Sequence, residues 1–145
     1  MDMAARLGAF INTLEERGIF HFDVNRFDSR LRLQKYIYLV EKFNVPLNYT
    51  YSLYIRGPYS PTLAVDYYHL PRDLISGSME LPESFLNLIN RKSKRWLELA
   101  STICMLHTAG TTREDLIERL IKIKDSSEAE INPILEELDE NRLLN

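Results

Sequence analysis

The stretch RLQKYIYLVEKF at residues 32–43, followed at residues 53–70 by LYIRGPYSPTLAVDYYHL, decides how this chain folds. In the first part Leu33, Tyr36, Ile37 and Val40 recur at three- and four-residue steps, and Leu39 and Phe43 widen the apolar stripe. That spacing predicts a helix beginning near Asp28 or Ser29, either of which can cap it, and running to about Phe43. A helix apolar around so much of its circumference is expected to cross the middle of a domain. Pro46 ends the helical run. Tyr49, Tyr51, Leu53 and Ile55 then alternate with Thr50, Ser52 and Tyr54, the period of a half-buried strand over Thr50 to Ile55. Gly57-Pro58 is expected to turn the chain, and Ser60-Pro61 supplies a hydroxyl cap followed by the residue best suited to a first helical position. The next helix carries Leu63, Ala64 and Tyr67 toward Pro71.

Helical periodicity dominates outward from this centre. Ala4, Leu7, Ile11 and Leu14 mark an opening amphipathic helix with Gly18 as its C-terminal cap. Phe20, Phe22 and Val24 alternate with His21 and Asp23, as a short strand or an extended connector would. After the flexible run SGSM at 76–79, a short helix carries Phe85, Leu88 and Ile89, and a longer one carries Trp96, Leu99, Ala100, Ile103 and Leu106 before Gly110. Thr111 with Glu114, and Ser127 with Glu130, have the spacing of capping boxes and open two closing helices over about residues 111–145. Pro133 either breaks a helix begun at Glu128 or takes the first position of one capped by Asn132. The expectation is an α+β fold, predominantly α: a helical bundle with a small antiparallel sheet, forming a single domain over residues 1–145.

Composition narrows the functional classes. The 145 residues are 45% hydrophobic and 27% charged with a net charge of −3, enough apolar material for a core and too little charge for a disordered chain. The first residues lack the basic start and unbroken apolar run of a signal peptide, and no stretch approaches a membrane span. Lone Cys104, in the apolar run STICML, is expected to be a buried small hydrophobe. These features suggest a cytoplasmic protein without membrane association.

Charge is unevenly spread. Residues 26–42 hold five basic side chains against two acidic ones, and Arg91, Lys92, Lys94 and Arg95 form a second basic knot. Residues 125–142 hold seven acids and one base. All eight tyrosines lie between Tyr36 and Tyr68, which suits either a polar-edged core or a contact surface.

Leu33, Gln34, Lys35, Tyr38, Gly57, Pro58 and Pro61 together resemble the core pattern of the SocA-like, or Panacea, antitoxin-domain proteins and their YwgA-type relatives. In that pattern an LQK helix precedes a strand, a Gly-Pro turn and another helix. Panacea members commonly carry an aliphatic residue after Gly-Pro. Here Tyr59-Ser60-Pro61 follows, closer to the YwgA-type branch. The resemblance covers about forty residues and implies a non-enzymatic domain that recognises another protein, such as a toxin encoded nearby. On that basis Lys35, Arg56, Tyr59 and Ser60 are the candidate partner-binding residues, with Gln34, Gly57, Pro58 and Pro61 as the structural motif. The alternative for Lys35 and Arg56 is that they only solvate the rim, and for the whole motif that it is a stable strand-to-helix connection.

Two other classes compete. The closing helix pair resembles the end of many helix-turn-helix domains, so a winged-helix-like DNA-binding transcriptional regulator is the alternative function. Glu128, Glu130, Glu136 and Glu137 would oppose phosphate there, and the sequence stops at Asn145 without room for a wing. Arg91 to Arg95 beside Trp96 is the better nucleic-acid candidate, against a solvated helix start with Trp96 in the core. For an enzyme, His21, His69 and His107 are scattered, and metal-binding and phosphate-loop motifs are missing, so no catalytic residue, metal or cofactor is expected. Asp66 and His69 lie one helical turn apart and could share a face near Ser60, with a hydrogen-bonded, partly buried His69 as the alternative.

Overall fold

The computed structural model describes residues 2–145. Seven α-helices and one two-stranded antiparallel sheet make up the described chain. In order they are α1 (Met3–Glu16), α2 (Phe27–Glu41), β1 (Ser52–Tyr54), β2 (Gly57–Tyr59), α3 (Pro61–Tyr68), α4 (Glu83–Ile89), α5 (Lys94–Thr108), α6 (Arg113–Ile123) and α7 (Glu128–Glu140), with a 3-10 turn at Arg72–Leu74. The α+β, predominantly α expectation holds.

Helices α2 and α5 pack against each other at the centre, and the remaining elements surround them. Leu33, Ile37, Leu39 and Val40 of α2 are fully buried, as are Leu97, Leu99, Ala100 and Ile103 of α5. Cys104 lies in the same core, where burial pushes its thiol up to about 12. Helix α1 ends as its sequence suggests, with Gly18 at φ 68° accepting the left-handed conformation after the last turn. Gly8 has a different role: a β-carbon there would meet the Leu74 carbonyl oxygen at 1.9 Å, so only glycine lets α1 lie against the 3-10 turn.

Several local expectations need correction. Neither Asp28 nor Ser29 caps α2; the cap position is Arg26, with no side-chain bond. Ser29 is drawn inward, its Oγ accepting from the Asp23 N–H at 2.8 Å, and Asp28 pairs with Lys94 at 2.8 Å. Of the two readings of residues 20–24, the extended connector is the one observed, with a turn at Val24. Its rings serve the core: Phe20 meets Tyr36 edge-on at 5.0 Å, and Phe22 meets Tyr67 at 5.7 Å. The cap of α6 is Thr112, one residue beyond Thr111, because Thr112 Oγ1 accepts from the Asp115 N–H. Ser127 does cap α7. Pro133 lies inside that helix, which absorbs one missing N–H because Ile131, Ile134, Leu135 and Leu138 are all buried on its inner face.

The strand differs most from expectation. Alternation persists through Leu47 and Tyr49, which are buried, and Tyr51, which is half-buried, but all three residues of β1 are exposed. Beyond Tyr51 the chain runs along the outside of β2, which packs on α2 and α5, so all of β1 meets water. Ile55 and Arg56 make the turn, and Gly57-Pro58 opens β2 instead of turning the chain. Neither turn residue has positive φ; Gly57 supplies it, at 95°, which lets a short loop fit the strand twist.

Candidate functional site

The hairpin is gripped from below by three long polar side chains. Gln34, on α2, bridges Ser60 in both directions: its Oε1 accepts from the Ser60 N–H at 2.9 Å and its Nε2 donates to the Ser60 carbonyl at 3.0 Å. Lys35, the next residue on the helix, donates from Nζ to the Pro58 carbonyl at 2.6 Å. Lys124, just past α6, donates to the Ile55 carbonyl at 2.5 Å and pairs with Glu98 of α5 at 2.9 Å. Carbonyls 58 and 60 are thereby satisfied away from water, as buried backbone polar groups must be, and the Ile55 carbonyl is held at the turn. Gly57 lies flat on α5, where a β-carbon would come within 2.9 Å of Thr102 Oγ1.

This arrangement corrects the expected partner-binding set. Lys35 is only 1% exposed and Ser60 is fully buried. Ser60 is occupied as the α3 cap, its Oγ accepting from the Leu63 N–H at 3.2 Å, with Pro61 at the first helical position. Neither Lys35 nor Ser60 can touch a partner in this conformation. Both belong with Gln34, Gly57 and Pro58 in the grip that seats the hairpin. Burial holds the Lys35 ammonium well below its ordinary value, at about 8, an effect that the negative charge of Glu98 partly opposes.

Arg56 and Tyr59 sit on the other side of the hairpin. Arg56 is exposed, with its guanidinium over the Phe27 ring at 5.5 Å, and half-buried Tyr59 meets Tyr54 edge-on at 5.3 Å. Together with Arg30, Tyr67 and Tyr68 these side chains border a cleft of about 380 Å³ between the hairpin, the start of α2 and the end of α3. The Arg30 guanidinium lies 5.9 Å from Phe27 and 5.6 Å from Tyr68, and donates to the Val24 carbonyl at 2.7 Å. Large rings with few polar groups and a concave shape are the usual make-up of a binding cleft.

The apolar surface continues past the cleft. Ile55, at the tip, is 88% exposed, and Tyr54 beside it is 52% exposed. Both also line a second groove on the opposite side of the hairpin, toward Leu53 and Ile123, the latter 68% exposed. Phe27, Arg30, Tyr54, Ile55, Tyr68 and Ile123 are the residues that sequence patterns miss. The Tyr67-Tyr68 pair carried a partial signal: on a helix adjacent residues point apart, and Tyr67 is buried while Tyr68 is exposed.

The other candidate groups are engaged elsewhere. In the basic knot Lys92 pairs with Glu137, Lys94 with Asp28, and Arg95 with Glu130, each at 2.8 to 3.0 Å. Arg95 and Ser126 together hold Glu130 down to about 2. Trp96 is half-buried, not in the core, and Lys92 lies over its ring at 4.8 Å. Asp66 accepts from the Tyr49 hydroxyl at 2.7 Å, whereas His69 Nδ1 lies 2.8 Å from the Val65 carbonyl, so the two do not form one site. Among the described residues no three His, Cys, Asp or Glu side chains converge on a point where a metal ion would fit, and no helix is long and apolar enough to cross a membrane.

Comparison of the chain with protein-family models, with curated proteins and with solved structures gives no match in any of the three.

Proposed function

We propose that this protein is a non-catalytic protein-binding or regulatory module acting in the cytoplasm, and that its recognition surface is the hairpin tip and the cleft beside it. A toxin encoded nearby is the kind of partner that the resemblance to antitoxin-domain proteins implies. The observation that carries the proposal is Ile55, 88% exposed at the end of a hairpin whose base is fixed by Gln34 and Lys35 and whose turn is held by Lys124 at the Ile55 carbonyl. A large aliphatic side chain held in water on a rigid support, flanked by exposed rings and an arginine, is costly unless something covers it. A preformed support also spares the entropy of ordering those side chains on binding. DNA binding receives no comparable support, since three of the four cations in the basic knot already face carboxylates.

Capture from the native host with full-length protein, alongside Ile55→Ser and Arg56→Ala variants of unchanged melting temperature, tests the proposal. A stoichiometric protein partner retained by the wild type and lost from both variants is the expected result. Retention by both variants would move the site elsewhere, and sequence-specific nanomolar binding of duplex DNA would favour the regulator alternative.

A further inference from the structure

Two cations, Arg30 and Arg56, border the cleft beside the hairpin, Lys35 lies buried beneath it, and no carboxylate lines it. Neither arginine has an acidic partner within ion-pair distance among the described residues; Arg30 donates only to the Val24 carbonyl. The contrast with the adjacent surface is sharp: Lys94, Arg95 and Lys124, on the other side of Arg56, are each matched by an acid. Positive charge left unmatched in one concave site, on a protein whose net charge is −3, marks that site as complementary to an anion. Both guanidinia lie over one ring, Phe27, at 5.9 and 5.5 Å, so an anion held by them would lie close to aromatic carbon.

We propose that the cleft receives an acidic segment of the partner protein, one in which a glutamate or aspartate stands next to an aromatic or aliphatic residue. This rests on the protein-binding function proposed above and adds the chemistry of the partner. The carboxylate is held at the cleft by Arg30 and Arg56, which present forked donors suited to it, and the neighbouring apolar side chain packs on Phe27, Tyr54 and Tyr68. A chain segment, and not a small organic acid, fits because the exposed apolar surface runs out of the cleft across Ile55 to Ile123. A ligand filling only the cleft would leave that surface in water.

Titration of the isotope-labelled full chain at physiological ionic strength, followed by amide and arginine side-chain resonances, tests this with two short capped peptides. One alternates glutamate with phenylalanine and leucine; the other has glutamine in place of every glutamate. The acidic peptide should bind about tenfold tighter and shift resonances of Phe27, Arg30 and Arg56, with the preference abolished in Arg56→Gln and in the Arg30→Gln, Arg56→Gln double variant. Arg56 makes no bond within the fold, so its variant keeps the test open should the double variant unfold. Equal binding of the two peptides would overturn the acidic inference and leave protein binding intact. So would binding of neither while a captured partner still depends on Ile55. If neither peptide binds and no partner depends on Ile55, both proposals fall. Free 3-phenylpropionate binding as tightly as the acidic peptide, at the same resonances, would reassign the cleft to a small organic anion.

Discussion

Two halves of one hairpin, a few ångströms apart, obey opposite rules. At the base, polar groups are buried and satisfied: Gln34 closes on both backbone groups of Ser60, and Lys35 reaches the Pro58 carbonyl. At the tip, apolar groups are exposed and uncovered: Ile55 and Tyr54 face water beside Arg56. Each half inverts the ordinary placement of its residue types. The difference separates two kinds of importance. Buried polar residues at the base hold a conformation, and exposed apolar residues at the tip offer a surface that the fold itself does not use.

If that division is right, substitutions in the two halves should act on different measurements. The largest stability effect is expected from Gln34→Ala, which strands the buried Ser60 N–H, leaves the Ser60 carbonyl with the Ala64 N–H alone and opens a cavity where a buried side chain stood; it should cost about 2 to 4 kcal/mol in urea unfolding. A cost within experimental error would show that the hairpin does not need the bridge. Gly57→Ala forces a side chain into a positive-φ position and toward Thr102 Oγ1, and should cost about 1 to 3 kcal/mol. Thr102→Ser, which keeps that oxygen, should not relieve it, whereas Thr102→Ala should recover part of the loss.

Lys35 gives a prediction in pH. Its folded value of about 8 lies below the ordinary 10.5, so between those limits the unfolded chain binds more protons than the folded one, and this site's contribution to stability rises with pH. Below about pH 8 the ammonium is charged in both states and its full burial cost is present. Relative to Lys35→Met, the wild type should therefore gain ~2 kcal/mol between pH 8 and pH 10, read as the difference of two urea-unfolding series. Parallel series would mean that Lys35 is solvated in the folded state, which would dissolve the contrast between base and tip. The smallest stability effect belongs to the tip: Ile55→Ser should change unfolding free energy by less than about 0.5 kcal/mol. A larger loss would make Ile55 a structural residue and remove the main support for a recognition surface there.

How much was legible in sequence depends on the range of the interactions involved. The i, i+3, i+4 pattern of Leu33, Ile37 and Val40 located the central helix because periodicity is a property of neighbouring residues, and all three are fully buried. The caps Ser60 and Ser127 were legible for the same reason. The alternation of Tyr49, Tyr51, Leu53 and Ile55 misled at its end, since period two says that residues share a side and not whether anything packs on it. For the site, Arg56 and Tyr59 were picked out by residue type and lie at the cleft, whereas Lys35 and Ser60 were picked out by the same motif and lie beneath it. Phe27 and Arg30, which complete the cleft, come from the start of α2, far from the hairpin in sequence.

By itself, the sequence determined the helices, their approximate ends and the presence of an extended segment and a turn ahead of a capped helix, because each of these follows from contacts between residues a few positions apart; the second strand, Gly57–Tyr59, it did not show. Tertiary structure alone decided which face of the motif is inside. Gln34 and Ser60 are 26 residues apart, Lys35 and Pro58 are 23 apart, and Lys124 and Ile55 are 69 apart. A long polar side chain becomes a buried strut or a surface contact according to what the fold brings opposite it. For Lys35 that is a carbonyl otherwise cut off from water, and for Arg56 it is the ring of Phe27 at the mouth of an open cleft.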